Sequence, residues 1–207
     1  MSILDPNLVL YLPFYKKDAA SFMSDDAFGH LVTVTGAAWG IQGRTFDGVD
    51  DVIVVPEVAS LKILNPFSFA IWLSGYAPAG DAEQDLANKN REYIVRLTNT
   101  GVIQFLYHNG TSWQTLSSAT SIAQNSWTHV RITRETNGAN SDCKIYLNGV
   151  LDNSATQTGT PVNIAQDLYI GSYNGVSERY NGTIGEMALW SRVAGERHYQ
   201  STKWRFQ

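Results

Sequence analysis

Cysteine is nearly absent from this chain. Cys143 is the single thiol among 207 residues, so no internal disulfide can form and the core alone must hold the fold. No run approaches the roughly 18 uninterrupted apolar residues of a membrane span, which argues against membrane insertion. The opening stretch MSILDPNLVLYLPFYKK has no basic leader, and Pro6 and Pro13 break its apolar residues, so it does not read as a secretory signal. Basic clusters are missing too. With a net charge of -4 and no basic stripe, the chain has nothing to neutralise a phosphate backbone, which argues against nucleic acid as a partner.

Helical periodicity is scarce, limited to a short turn after Pro56 and another over 194–199. There is no internal repeat, low-complexity tract or Pro/Ser-rich linker, and the length suits a single domain over 1–207. Nucleophile signatures are lacking: no Gly-x-Ser-x-Gly occurs, and Cys143 has no histidine near it in sequence.

Turns and alternation are what the chain does have. Asn-Gly pairs stand at 109–110, 137–138, 148–149, 174–175 and 181–182, and Asn-Gly between apolar runs is the strongest short hairpin signal. Between them Phe67, Phe69, Ile71 and Leu73 alternate, as do Val130 with Ile132 and Ile145 with Leu147, which predicts strands with one face inward and one towards solvent. The fold class expected is all-β, two packed antiparallel sheets in a β-sandwich. The polar stretches 77–92 and 153–163 read as long surface loops.

The order of several segments is informative: LVLYLPF, SDDAFGHLVTVTGAAW, RTFDGVDDVIVVP, FSFAIWLSGY, NSWTHVRITRE, KIYLNGVLDNSA, LYIGSYNG and YNGTIGEMALWSR. This succession resembles the laminin-G-like, concanavalin A-like lectin/glucanase superfamily, in its pentraxin-like jelly-roll form, over nearly the whole chain. Phe46-Asp47-Gly48, Trp127-x-His129-Val130 and Tyr146-Leu147-Asn148-Gly149-Val150 carry the likeness. It implies a fold and leaves function open between lectins, adhesion modules, hydrolases and virion surface proteins.

The glucanases of that superfamily carry a Glu-x-Asp-x-x-Glu strand whose carboxylates flank the scissile bond. Here the nearest match, Glu83-Gln84-Asp85-Leu86-Ala87-Asn88, lacks the final glutamate, and no enzymatic role is expected. The resemblance also implies a calcium site joining an early Asp-x-x-Gly loop to the penultimate strand, which maps onto Asp26, Gly29 and Glu186; Gly185 stands where an aspartate is frequent. The acidic run Asp47, Asp50 and Asp51 reads first as a turn, with Gly48 at φ > 0 and Asp50 accepting backbone N–H groups, and second as a calcium neighbour. His30 and His129 have no paired histidine spacing, so no transition metal is expected.

Glycan recognition needs exposed aromatic faces beside polar groups. Tyr107, His108, Asn109 and Trp113 form one such cluster, and Tyr173, Asn174 and Tyr180 another; turn and edge residues of an ordinary β protein are the competing reading. Two functions remain: a virion decoration or fibre-associated subunit, favoured by a stand-alone jelly roll without an export signal, and a calcium-dependent lectin-like adhesion module. The first calls for other protein subunits as partners and places the protein on a virion. The second calls for a surface glycan and an extracellular setting. In the first, Trp204 and Phe206 of the STKWRFQ tail are expected to anchor against a neighbour.

Overall fold

The computed structural model describes residues 5–77 and 81–206. Its strands form two antiparallel sheets of eight. In the first, β14 (Val150–Gln157), β13 (Asn140–Leu147), β12 (Thr128–Asn137), β7 (Phe67–Ser74), β16 (Asn181–Trp190), β5 (Gly43–Asp47) and β4 (Ala38–Gly40) lie side by side, and β1 (Leu8–Leu12) also pairs with β16. The second runs β11 (Trp113–Ser121), β10 (Val102–His108), β9 (Ile94–Thr98), β8 (Glu83–Asn88), β15 (Leu168–Ile170), β6 (Val52–Val55), β3 (Leu31–Thr35) and β2 (Ser21–Met23). The all-β sandwich read from alternation is the observed architecture, and its core fills with the inward rows of both sheets.

Turn chemistry accounts for most of the connections. Asn148 and Gly149 both take positive φ, 50° and 84°, between β13 and β14, as a two-residue hairpin needs. Asn174 and Gly175 do the same at 52° and 72°. The pair at 181–182 is different: Asn181 and Gly182 open β16, opposite Asp47 and Phe46. Glycine is required there for closeness, since a Cβ on Gly182 would lie 2.4 Å from the Tyr180 hydroxyl.

The central strands are buried on both faces, against the expectation of one solvated face. Phe67, Phe69, Ile71 and Leu73 point into the sandwich, while Ser68, Ala70 and Trp72 are covered from outside. Over Trp72 the cover is helix α1 (Arg197–Phe206), longer than the turn expected over 194–199, while Ser68 is held by the Arg192 carbonyl and the Ala194 amide. Trp72 donates from Nε1 to Thr202 Oγ1 at 2.8 Å, and Phe206 packs against Trp72, Trp127 and Tyr15. No helix of the described residues is long and apolar enough to cross a membrane.

Candidate functional site

Strand β8 lies where a polar loop was expected. Its residues Gln84, Asp85 and Asn88 are buried and hydrogen-bonded, so their polarity marks a lined surface rather than a solvated loop. Of the 77–92 stretch, residues 78–80 lie outside the described residues. Likewise, 153–157 of the second expected loop belong to β14.

A bulge sets the site. Asp85 faces Arg96 and Ala87 faces Val95, which leaves Leu86 as the extra residue of β8. Strict alternation would send Asp85 and Asn88, three apart, to opposite faces. The bulge turns both outward, where Asn88 Nδ2 donates to Asp85 Oδ2 at 2.5 Å and Asn88 Oδ1 accepts from the Asn90 amide at 2.7 Å. Asp85 is 2 % exposed and its amide donates to the carbonyl of Glu178 at 2.7 Å. Burial, only partly opposed by the Asn88 hydrogen bond and reinforced by the charge of Glu178, pushes the Asp85 carboxyl up to about 7.

Around this floor is a cleft of about 140 Å³, walled by Arg96, Trp113, Tyr173 and Glu178 among others. Trp113 reaches it from the start of β11, 46 % exposed and edge-on to His108. Tyr173 comes from the Asn174-Gly175 hairpin, closed by a bridge between Tyr173 and Ser177. Arg96 pairs with Glu83 and donates from Nε to Gln104 Oε1 at 2.8 Å. Asn90 and Glu178 hold φ of 40° and 48°, left-handed conformations that non-glycine residues adopt at a cost and that concentrate at functional sites.

The two aromatic clusters read from sequence therefore contribute one residue each to a single cleft. Tyr107 is instead inside the sandwich, its ring 5.1 Å from the buried Arg134 guanidinium and its hydroxyl donating to the Gly159 carbonyl at 3.2 Å. Its parity with Ile103 and Phe105 sends it inward. Tyr180 is fully buried under β16. Asn109 holds its own turn through Thr111 and Ser112, and Asn174 shapes the hairpin rather than lining the cleft. Sequence reasoning missed Asp85, Asn88, Arg96 and Glu178 as site residues. The near match to Glu-x-Asp-x-x-Glu was the signal for the first two.

Asp26 and Glu186, read from the resemblance with Gly29 as calcium ligands, each carry protein partners, and Tyr11 binds both. Asp26 accepts from the amides of Tyr11, Phe28 and Gly29. Burial pushes its carboxyl up, but hydrogen bonds from His30, Ser24 and those amides outweigh it and hold the carboxyl below its usual range. Glu186 is sealed under α1, accepting from the Tyr11 hydroxyl at 3.0 Å and facing Arg205 and His198. A Cβ on Gly185 would lie 2.3 Å from the Phe206 ring, so helix α1 occupies the space an aspartate there would need. The carboxylates that do converge are Asp47, Asp50 and Asp51, with oxygens within 4.8 Å of one another. Asp47 accepts from Val49 and Asp51 from Asp47, so the turn role expected of Asp50 falls to its neighbours. Burial, with the nearby Asp47 and Asp50 charges, pushes the Asp51 carboxyl up despite the amide bond. This donor set suits a hard cation.

Trp204 is 71 % exposed on α1, whereas Phe206 is 4 % exposed and folded against its own chain. Cys143 is buried, with its thiol pushed up to about 12 by burial, unsuited to nucleophilic attack.

A family model described as the concanavalin A-like lectin/glucanases superfamily matches residues 47–198. No curated protein sequence matches the chain. Among solved structures, the botulinum neurotoxin serotype G binding domain superposes with a TM-score of 0.72 at 14% identity, over 96% of this chain and 51% of that one. The binding domain of Paraclostridial mosquitocidal protein 1 gives 0.70 at 16%, over 97% and 52%. The CBM40 of the Ruminococcus gnavus IT-sialidase, bound to α2,3-sialyllactose, gives 0.57 at 17%, over 70% and 85%. At such identities the likeness shows the fold, and the chain spans about half the length of the toxin domains it matches.

Proposed function

The chain belongs to the concanavalin A-like lectin/glucanases superfamily, and from that premise we propose that it is a non-enzymatic, lectin-like module that holds a glycan in the cleft above Asp85. One observation carries this reading: Trp113 and Tyr173, some sixty positions apart in sequence, meet over a floor of fixed polar groups, Asp85 and Asn88. Aromatic faces take the C–H faces of a sugar, while a few oriented acceptors and amides read its hydroxyls. The structural neighbours named above are binding domains, one of them holding a sialylated sugar, which supports binding over catalysis.

The virion decoration subunit has no counterpart among those neighbours, and of its two expected anchors Phe206 is used inside the fold while Trp204 is exposed. A surface or extracellular setting fits this reading. Calcium would be held by the Asp47, Asp50 and Asp51 carboxylates, whose oxygens lie within 4.8 Å of one another.

A glycan array followed by calorimetry tests the proposal, with wild type beside Trp113→Ala and Tyr173→Ala. Binding that weakens about tenfold in each variant, equivalent to about 1.4 kcal/mol, is expected. Glycan binding indifferent to both substitutions, or no binding to any glycan, would overturn it.

A further inference from the structure

The charges of the cleft are unbalanced. Two carboxylates line it, Asp85 and Glu178, and the one cation of its lining is Arg96. Arg96 is already engaged, with Nη1 on the Glu83 carboxylate and Nε on Gln104. A ligand carboxylate or sulfate would therefore meet two carboxylates and a guanidinium whose Nη1 and Nε are already taken.

Asp85 has the opposite shortage. One of its oxygens accepts from Asn88, while the other has no hydrogen-bond partner among the described residues. A buried carboxylate is costly to ionise; Arg96, opposite it on β9, relieves part of that cost, and its neighbour Glu178 adds repulsion. Glu178 accepts from the Ser177 hydroxyl and is fixed at the rim in a left-handed conformation. Beside these carboxylates stand two π faces, Trp113 and Tyr173, to which a cation is also attracted.

We propose that the cleft selects a saccharide carrying a free ammonium group, as in a de-N-acetylated hexosamine, whose charge sits between Asp85 and Glu178 while its ring lies against Trp113 or Tyr173. The inference rests on the glycan-binding reading and makes it specific. The ligand adds positive charge to that of the already engaged Arg96, and N-acetylation removes the ligand's charge and adds bulk beside the carboxylates. A sialylated sugar is turned away by the same groups.

The experiment is calorimetry of the full chain with three probes: a glucosamine tetramer, its N-acetylated counterpart and α2,3-sialyllactose. At least tenfold tighter binding of the amine is expected over either other probe. That preference should vanish in Asp85→Asn and shrink in Glu178→Gln. Glu135→Gln, which removes the same charge at an exposed site beside Lys144, should retain it. Thermal melts of each variant confirm folding. Equal or tighter binding of the N-acetylated or sialylated probe overturns the ammonium inference and leaves the lectin reading intact. Silence towards all three probes also overturns it, and silence across a wider glycan array removes the lectin reading with it. An amine preference that survives both Asp85→Asn and Glu178→Gln places recognition elsewhere and overturns the assignment.

Discussion

His129 Nε2 lies 2.9 Å from His198 Nδ1, so a buried imidazole pair ties strand β12 to helix α1. Burial first, then the charges of His198 and Arg131, hold His129 well below its ordinary range. Other charged groups around the pair are Glu186, 3.0 Å from His198 though not aligned as a hydrogen bond, and Arg205 on the far side of that carboxylate. With a depressed folded pKa, His129 contributes stability that is present above its unfolded value near 6.5 and is lost as pH falls below it. Denaturant midpoints should therefore drop between about pH 6.5 and 5. Hydrogen exchange should show α1 loosening first. His129→Gln should flatten that drop; an unchanged slope would assign the acid sensitivity to another group.

The two aromatic residues at the end of α1 should behave oppositely. Phe206→Ala removes a buried ring from between Trp72, Trp127 and Tyr15 and should cost about 3 kcal/mol. Trp204 is exposed, its Nε1 donating only to the Ser201 carbonyl, and Trp204→Ala should stay within about 0.5 kcal/mol of wild type. Urea unfolding of both variants checks this. Comparable losses at the two positions would mean that Trp204 is covered in solution, as a subunit contact would require.

Much of the sandwich could be read from sequence because its signals are local. The Asn-Gly turn at 148–149 and the alternation of Phe67, Phe69, Ile71 and Leu73 each depend on a few adjacent residues. The helix was underestimated because its stability comes from packing on Trp72 and His129, far away in sequence. The cleft was hidden for a related reason. Strand β8 is polar because it lines a surface, and a bulge at Leu86 leaves no mark in the sequence that distinguishes it from a loop. Tyr107 was a missed inference rather than a missing signal, since it keeps step with Ile103 and Phe105.

The inward placement of Tyr107 separates stability from binding. Tyr107→Phe keeps the ring against Arg134 and loses the hydroxyl's bond to Gly159 and its contact with Ser141, for about 1 kcal/mol. Ligand affinity should not change, in contrast to Trp113→Ala at the neighbouring hairpin. Thermal melts and calorimetry on the same samples read both quantities. A loss of affinity in Tyr107→Phe would place its hydroxyl at the cleft after all.

Asp85 should show the conflict between stability and function most directly. Its carboxyl is raised from 3.8 to about 7, so the folded chain keeps a proton that the unfolded chain has released. Stability attached to this group is present at low pH, falls as pH rises from about 4 towards 7, and stays lost above. Asp85→Asn keeps an acceptor for Asn88 and never ionises, so it should stabilise the protein by roughly 4 kcal/mol at pH 8 and by almost nothing at pH 4. Denaturant unfolding of wild type and variant at those two pH values measures the difference. A variant no more stable at pH 8 than at pH 4, relative to wild type, would show that the carboxylate is already relieved by solvent in the cleft. A stabilised variant that no longer binds its glycan would show that the fold keeps a costly buried acid because the ligand needs it.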